Sequence, residues 1–157
     1  MSQFILNRKP SYVQEALYQE LRDLSRFYQN LTEDIVCAKN RLHKVLQITF
    51  PELENILSAP TGEQYWNLVI TFPCNSFVLE SDDATLTAII RQSTAKRISE
   101  KRVTYLVDKL TKLANQSYCA VKKTSPVIEE VKYYAGELLR LSEHRQGVVE
   151  EMVTLAQ

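Results

Sequence analysis

The sequence is poor in residues that break helices, with only three glycines and five prolines among 157 residues. So few breakers leave room for few turns and favour a largely helical chain. No apolar run approaches the roughly 20 residues that a membrane span requires, and no signal peptide is recognisable. We therefore expect a cytoplasmic protein without a membrane partner.

Residues that carry chemistry are also scarce. The three cysteines are widely spaced and odd in number, and neither His43 nor His144 has a cysteine or acid pair at ligand spacing. There is no phosphate-binding loop and no Gly-x-Ser-x-Gly motif. Adjacent acids such as Glu33–Asp34 point about 100° apart on a helix, so they do not converge on one metal ion. The residues thus indicate no catalytic site, no metal site and no cofactor.

The formal net charge is zero, so contact with a nucleic acid must come from local basic patches. The densest patch, "RQSTAKRISEKR", carries five basic residues against one glutamate, with interleaved hydroxyls that suit phosphate contacts. A solvated loop with charges favourable toward a helix C-terminus explains it as well, and both interpretations stay open. The candidate nucleic-acid-binding residues are Lys39, Arg41, Lys44, Arg91, Lys96, Arg97, Lys101, Arg102, Lys122 and Lys123.

Two long segments place apolar residues at alternating spacings of four and three, the pattern of helices that pair along a seam. The first covers residues 11–50, between a start signal at Pro10 and a stop at Pro51. The second covers residues 125–157 and begins with Ser125 before a proline. The seam residues are Leu17, Leu21, Leu24, Tyr28, Leu31, Ile35 and Leu42, then Val131, Tyr134, Leu138, Leu141, Val148 and Met152.

The intervening residues 51–124 show a different sequence pattern, in which short amphipathic segments alternate with turn signals. Thr61 and Gln64 suggest a capping box, and Pro73–Ser81 suggests a short extended connector. Helices are expected at 63–72, 82–92 and 99–116. The fold predicted is all-α: a long antiparallel helical stalk, with a small helical tip inserted between its two helices.

The two long segments carry more apolar residues than one seam uses. A wide apolar face allows a helix to touch two neighbours, so we predict a homodimer whose stalk is a coiled coil or four-helix bundle. Coverage of this face by other domains is the alternative. The flanking residues are Val13, Phe27, Val36, Leu46 and Ile48, then Ile128, Leu139, Val149 and Val153.

Several stretches resemble the middle of transposases of the insertion-sequence 110 family: "LRDLSRFYQNLTEDIVCAKNRLHKVLQITFPELE", "GEQYWNLVITFP", "QSTAKRISEKR" and "YCAVKKTSPVIEEVKYYAGELLRLSE". The most family-wide element is Lys39-Asn40-Arg41-Leu42-His43 followed by Phe50-Pro51-Glu52. The resemblance implies a preceding RuvC-like domain with four acidic residues, a following domain with a serine nucleophile, and guidance by a bridge RNA.

By that resemblance, residues 1–10 are the remnant of the RuvC-like domain and the chain is a fragment truncated at both ends. No position matches the acidic residues or the serine, so we expect that this chain is not an enzyme. The function expected is assembly and nucleic-acid positioning in DNA transposition, with DNA or guide RNA as partners of the parent protein. A free-standing helical interaction module without a nucleic-acid role is the alternative.

Overall fold

A computed structural model describes the backbone of residues 2–157 and the side chains from Val13 onward. The described residues form six α-helices and one short 3-10 helix, and none of them lies in a strand. The predicted all-α fold class is confirmed. Within the described part of the chain, no helix is long and apolar enough to cross a membrane.

The chain divides into two compact units, and the first and last helices each contribute residues to both units. One unit contains the chain up to Val36 together with Leu141–Gln157, and the other contains Cys37–Arg140. The bounds are α1 Ser2–Thr49, the 3-10 helix Pro51–Asn55, α2 Glu63–Thr71, α3 Asn75–Leu79, α4 Asp83–Gln92, α5 Glu100–Gln116 and α6 Pro126–Ala156.

Local signals place several helix ends correctly. α1 ends at Thr49, just before the stop predicted at Pro51. The Asp82 side chain accepts from the backbone N–H of Thr85 at 2.8 Å and caps α4, while Ser99 caps α5. These caps satisfy backbone donors that the first helical turn leaves unpaired.

Three local expectations differ from the structure. α1 begins at Ser2 rather than after Pro10, because a proline removes one helical hydrogen bond without always ending the helix. Gly62, with a φ of 100°, precedes α2 without a side-chain cap, so Thr61 and Gln64 do not form the expected box. This backbone conformation favours glycine. The connector after Pro73 is not extended, since it contains α3.

The first unit buries only part of its apolar pattern. Leu31 and Ile35 on α1 are buried, as are Leu141 and Val148 on α6. The seam residues Leu17, Leu21, Leu24, Tyr28 and Met152 are half-buried. Pairing of these helices as a coiled coil stays a prediction.

Arg145 is a polar residue at the heptad position between Leu141 and Val148, where the second segment lacks an apolar residue. The Nη1 of Arg145 donates to Thr32 Oγ1 at 3.3 Å, and its guanidinium carbon lies 5.6 Å from the centroid of the Tyr28 ring. Arg145 therefore joins α6 to α1 within the first unit.

The second unit contains the larger apolar core. Leu46 and Ile128 are 0% and 1% exposed, so they belong to this core rather than to the apolar face predicted to flank the seam. The Nδ2 of Asn75 donates to the backbone carbonyls of Ala114 and Ser117, at 3.0 and 2.8 Å, and ties α3 to the end of α5. The largest fully buried side chains also include Phe50, Leu53, Ile56, Leu68, Phe72, Leu86, Ile90, Leu106, Leu110 and Leu138.

Candidate nucleic-acid interface

The densest predicted basic patch spans the end of α4, the following loop and the start of α5. Arg91 lies in the last turn of α4, Lys96 and Arg97 lie in the loop, and Lys101 and Arg102 lie in the first turn of α5. All five side chains are exposed, and none forms an ion pair with any described residue. Their charges are therefore available to an anionic ligand.

Hydrogen bonds fix the backbone that carries these cations. The carbonyl of Ser93 accepts from Asn67 Nδ2 at 2.9 Å, which anchors the end of α4 to α2. In the loop, Thr94 Oγ1 accepts from the backbone N–H two residues later at 3.2 Å. Ser99 Oγ accepts from the backbone N–H of Arg102 at 3.2 Å and closes the first turn of α5. The backbone of the patch is thus held by a hydrogen bond from α2, by one within the loop and by the cap of α5.

Two of the cations occupy positions where the helix dipole disfavours positive charge. Lys101 and Arg102 lie at the N-terminus of α5, where the helix dipole is positive and Glu100 is the acidic residue of the first turn. A favourable position at a helix C-terminus, which explained the patch without a ligand, applies to Arg91 but not to these two. Residues whose placement is unfavourable for the local structure are expected at functional sites.

The basic surface continues along α5 beyond the residues predicted from the sequence. Tyr105, Lys109 and Lys112 follow Arg102 at spacings of three, four and three, which is one face of a helix. Tyr105 is 51% exposed, and its ring centroid lies 5.3 Å from the Arg102 guanidinium and 5.7 Å from the Lys109 ammonium. We define the α5 basic surface as Lys101, Arg102, Tyr105, Lys109 and Lys112; the exposed Asp108 lies on the same face and leaves it with four cations against one acid.

A second basic group lies in the last turns of α1. Arg41 and Lys44 are exposed, Lys39 is half-buried, and none of the three forms an ion pair with a described residue. None of them lies in the last turn of α1, where the helix dipole would favour a positive charge. These cations are therefore available to a ligand.

The predicted pair Lys122 and Lys123 is split by the structure. Lys122 is exposed. Lys123 forms an ion pair with Glu80, and its ammonium lies 4.7 Å from the centroid of the Phe77 ring. Lys123 is thus engaged within its own unit, which makes it a weaker candidate for phosphate contact than Lys122.

A small pocket lies in the second unit near the end of α1. On its wall, His43 Nδ1 lies 2.6 Å from Glu54 Oε1, and Gln47 Nε2 donates to the same carboxylate oxygen at 3.3 Å. Its volume is about 220 Å³. The lining residues are Lys39, Asn40, Leu42, His43, Glu54, Pro60, Tyr65 and Trp66.

From Val13 onward, the other reactive side chains do not assemble into a metal-binding centre. Among the described residues, no group of three or more histidines, cysteines and acids could hold a metal ion. Burial, with Cys74 beside it, raises the pKa of the Cys119 thiol, which keeps it protonated and therefore poorly nucleophilic.

Comparison with known proteins identifies one part of the chain. The family described as "Transposase", of the DEDD insertion-sequence 110 type, matches residues 4–51, which is nearly all of α1. The resemblance to insertion-sequence 110 transposases is confirmed over these residues. No curated protein and no solved structure matches the chain significantly.

The match corrects one prediction. The chain was expected not to be an enzyme, but transposases are an enzyme family, and this match contradicts that expectation. The expectation came from the lack of a recognisable catalytic arrangement in the sequence. The absence of a recognisable catalytic motif does not determine the family to which a segment of the chain is related.

Proposed function

We propose that this chain serves transposition as an assembly and nucleic-acid-positioning module of an insertion-sequence 110 transposase. The observation that carries the proposal is the α5 basic surface, because two of its cations, which form no ion pair with a described residue, occupy the unfavourable end of a helix. The match to a transposase family supplies the context in which a nucleic acid is the ligand of such a surface.

The residue types of this surface suit a nucleic acid. Arginine and lysine neutralise phosphates, and an exposed aromatic ring gives bases a platform on which to stack. Tyr105 provides that ring, flanked by Arg102 and Lys109. The cluster at Arg91, Lys96 and Arg97 extends the supply of cations into the preceding loop.

Salt dependence tests the nucleic-acid role. For a single-stranded oligonucleotide, the logarithm of the binding constant should fall linearly with the logarithm of the salt concentration. Each lost phosphate contact should reduce the steepness of this line by about 0.7. The double change Arg102→Ala and Lys109→Ala should therefore reduce the slope measurably. Lys132→Ala is the matched control, since that lysine pairs with Glu129 on α6. An unchanged slope in the double variant would contradict the proposal.

The assembly role rests on apolar residues that the first unit leaves exposed. Val13, Phe27 and Val36 on α1 are 61%, 45% and 52% exposed, and Val153 on α6 is 52% exposed. Full burial of each such side chain is worth about 1.5–3 kcal/mol. Val13 and Phe27 lie only about 40° apart around α1, so a second copy of the chain, related by a two-fold axis, can bury both in a four-helix arrangement.

Sedimentation equilibrium tests the assembly role. The chain should be dimeric at micromolar concentrations, and Val13→Glu with Phe27→Glu should yield a helical monomer, because burying two carboxylates is costly. Leu79→Glu is the control, because Leu79 is an exposed apolar residue on α3 in the other unit. A chain that is monomeric without any substitution would refute the dimer and leave nucleic-acid binding to stand alone.

A further inference from the structure

An acidic residue lies within the α5 basic surface. Asp108 is exposed and follows Tyr105 by three residues, so the two side chains are neighbours on one helix face, with Cβ atoms about 5–6 Å apart. It forms no ion pair with a described residue, although Lys112 follows it at a spacing of four. A carboxylate repels phosphates, and aspartate is a weak helix former. Neither phosphate binding nor helix stability therefore accounts for an acid at this position.

The ring beside Asp108 is placed to stack on a base. Tyr105 is 51% exposed, with the Arg102 guanidinium 5.3 Å and the Lys109 ammonium 5.7 Å from its centroid. Arg102 is exposed and forms no ion pair with a described residue, so an incoming base can displace its guanidinium toward a phosphate. Cations precede and follow the ring along α5, so a strand with one base on Tyr105 meets positive charge on both sides.

An exposed ring next to a carboxylate selects an unpaired base. In a duplex, neighbouring bases cover both faces of each base, whereas a base in a single strand can lie on an aromatic side chain and expose its pairing edge. A carboxylate beside the ring accepts hydrogen bonds from donors on that edge. Guanine presents a ring N–H and an amino group side by side, which match the two carboxylate oxygens. Adenine and cytosine present only an amino group there, and thymine and uracil present one N–H between two carbonyl oxygens.

We propose that Tyr105 and Asp108 bind one unpaired guanine of a single-stranded segment held by the α5 basic surface. Tyr105 stacks on the base, Asp108 accepts from its ring N–H and amino group, and the cations neutralise the flanking phosphates. DNA and RNA share this base chemistry. The inference rests on the proposed nucleic-acid role and adds a base preference to it.

Two labelled oligothymidylates test the preference, one with a single central guanine and one with a single central adenine. Both purines stack, but only guanine offers two donors to Asp108. Fluorescence anisotropy should therefore show at least about fivefold tighter binding of the guanine strand. The same pair of strands made of ribonucleotides shows whether DNA or RNA is bound more tightly. Equal affinity for guanine and adenine in both series would overturn the inference.

Asp108→Asn separates base recognition from the effect of a solvated charge. Loss of the negative charge should tighten the binding of every strand, while loss of the paired acceptors should reduce the guanine preference to less than about twofold. Glu100→Gln is the matched control, because it removes the same charge from an exposed position of α5 that lies about 140° from Tyr105 around the helix. This control should tighten binding and keep the preference. An Asp108→Asn variant with the full preference would contradict the assignment.

The stacking role of Tyr105 is tested with single and double strands of one sequence. Tyr105→Ala should weaken single-strand binding at least about fivefold, and Tyr105→Phe, which keeps the ring, should restore most of it. Binding of the duplex should stay unchanged in both variants, because a duplex is held through its phosphates. Circular dichroism shows that the variants keep their helicity. An equal loss for single strand and duplex in Tyr105→Ala would refute stacking.

The outcomes also separate this inference from the proposed function. If the strands bind with a salt dependence that Arg102→Ala with Lys109→Ala reduces, but without a guanine preference, the base assignment fails and the proposed function stands. If no strand binds, the proposed function fails, and the base assignment fails with it.

Discussion

Lys101→Glu should make the protein more stable and bind nucleic acid less well. Lys101 is the second residue of α5, where it opposes the helix dipole and has no ion pair to lose among the described residues. Removal of an unfavourable cation and gain of a favourable anion are each worth about 0.3–1 kcal/mol. A total near 1 kcal/mol corresponds to a rise in Tm of about 2–4 °C for a protein of this size.

The same substitution acts in the opposite direction on binding. It removes one phosphate contact and places a negative charge beside the remaining cations of the α5 basic surface. Thermal unfolding followed by circular dichroism gives the Tm, and fluorescence anisotropy of a labelled oligonucleotide gives the affinity. The prediction is therefore a pair of changes with opposite signs in one variant.

The matched control is Lys112→Glu, which makes the same charge change near the other end of α5. It should weaken binding as well, but it should not raise the Tm, because an anion near a helix C-terminus is not stabilised by the dipole. If Lys101→Glu lowers the Tm, or leaves the oligonucleotide affinity unchanged, the argument that Lys101 is kept there for binding is wrong.

Three further predictions concern stability. Asn75→Ala should lower the free energy of unfolding in urea by about 1–3 kcal/mol, because two carbonyls at the end of α5 lose their donor; a change below about 0.5 kcal/mol would contradict this. The hydrogen bond from Thr85 lowers the pKa of Asp82, so the stability that this carboxylate contributes is present above its ordinary range and is lost as the pH falls through the lowered value. Asp82→Asn, which still caps α4, should flatten the decline of Tm in acid, and an identical pH profile would argue against that linkage. Arg145→Leu should raise the Tm, because it fills the missing heptad position with an apolar side chain; a lower Tm would show that the contacts with Thr32 and Tyr28 matter more.

The sequence predicted most of the helices because their ends are set by neighbouring residues. Pro51 stops α1, Asp82 and Ser99 cap α4 and α5, and each signal acts within one turn. The sequence also located the basic patch on either side of Ser99, since charge density is visible without a fold. The family resemblance depended on residue identities alone, and it holds over residues 4–51.

The extent of the basic surface could be read only in part from the sequence. The prediction stopped at Arg102 because it followed contiguous charge rather than the helical face. Spacings of three and four continue that face to Tyr105, Lys109 and Lys112. This signal was present in the sequence, but the exposure of the Tyr105 ring and the cations beside it are tertiary facts.

Composition and periodicity determined by themselves that this is a helical protein with two long apolar-patterned segments. Only the tertiary structure decided which apolar residues are buried. Leu46 and Phe27 were both predicted to flank the first seam, yet Leu46 is fully buried and Phe27 is 45% exposed. The tertiary structure also decided that Glu54, Tyr65 and Trp66 share a pocket with the end of α1. Periodicity follows from local helix geometry, whereas burial and pockets depend on which distant segments pack together, and a single sequence carries no direct record of that packing.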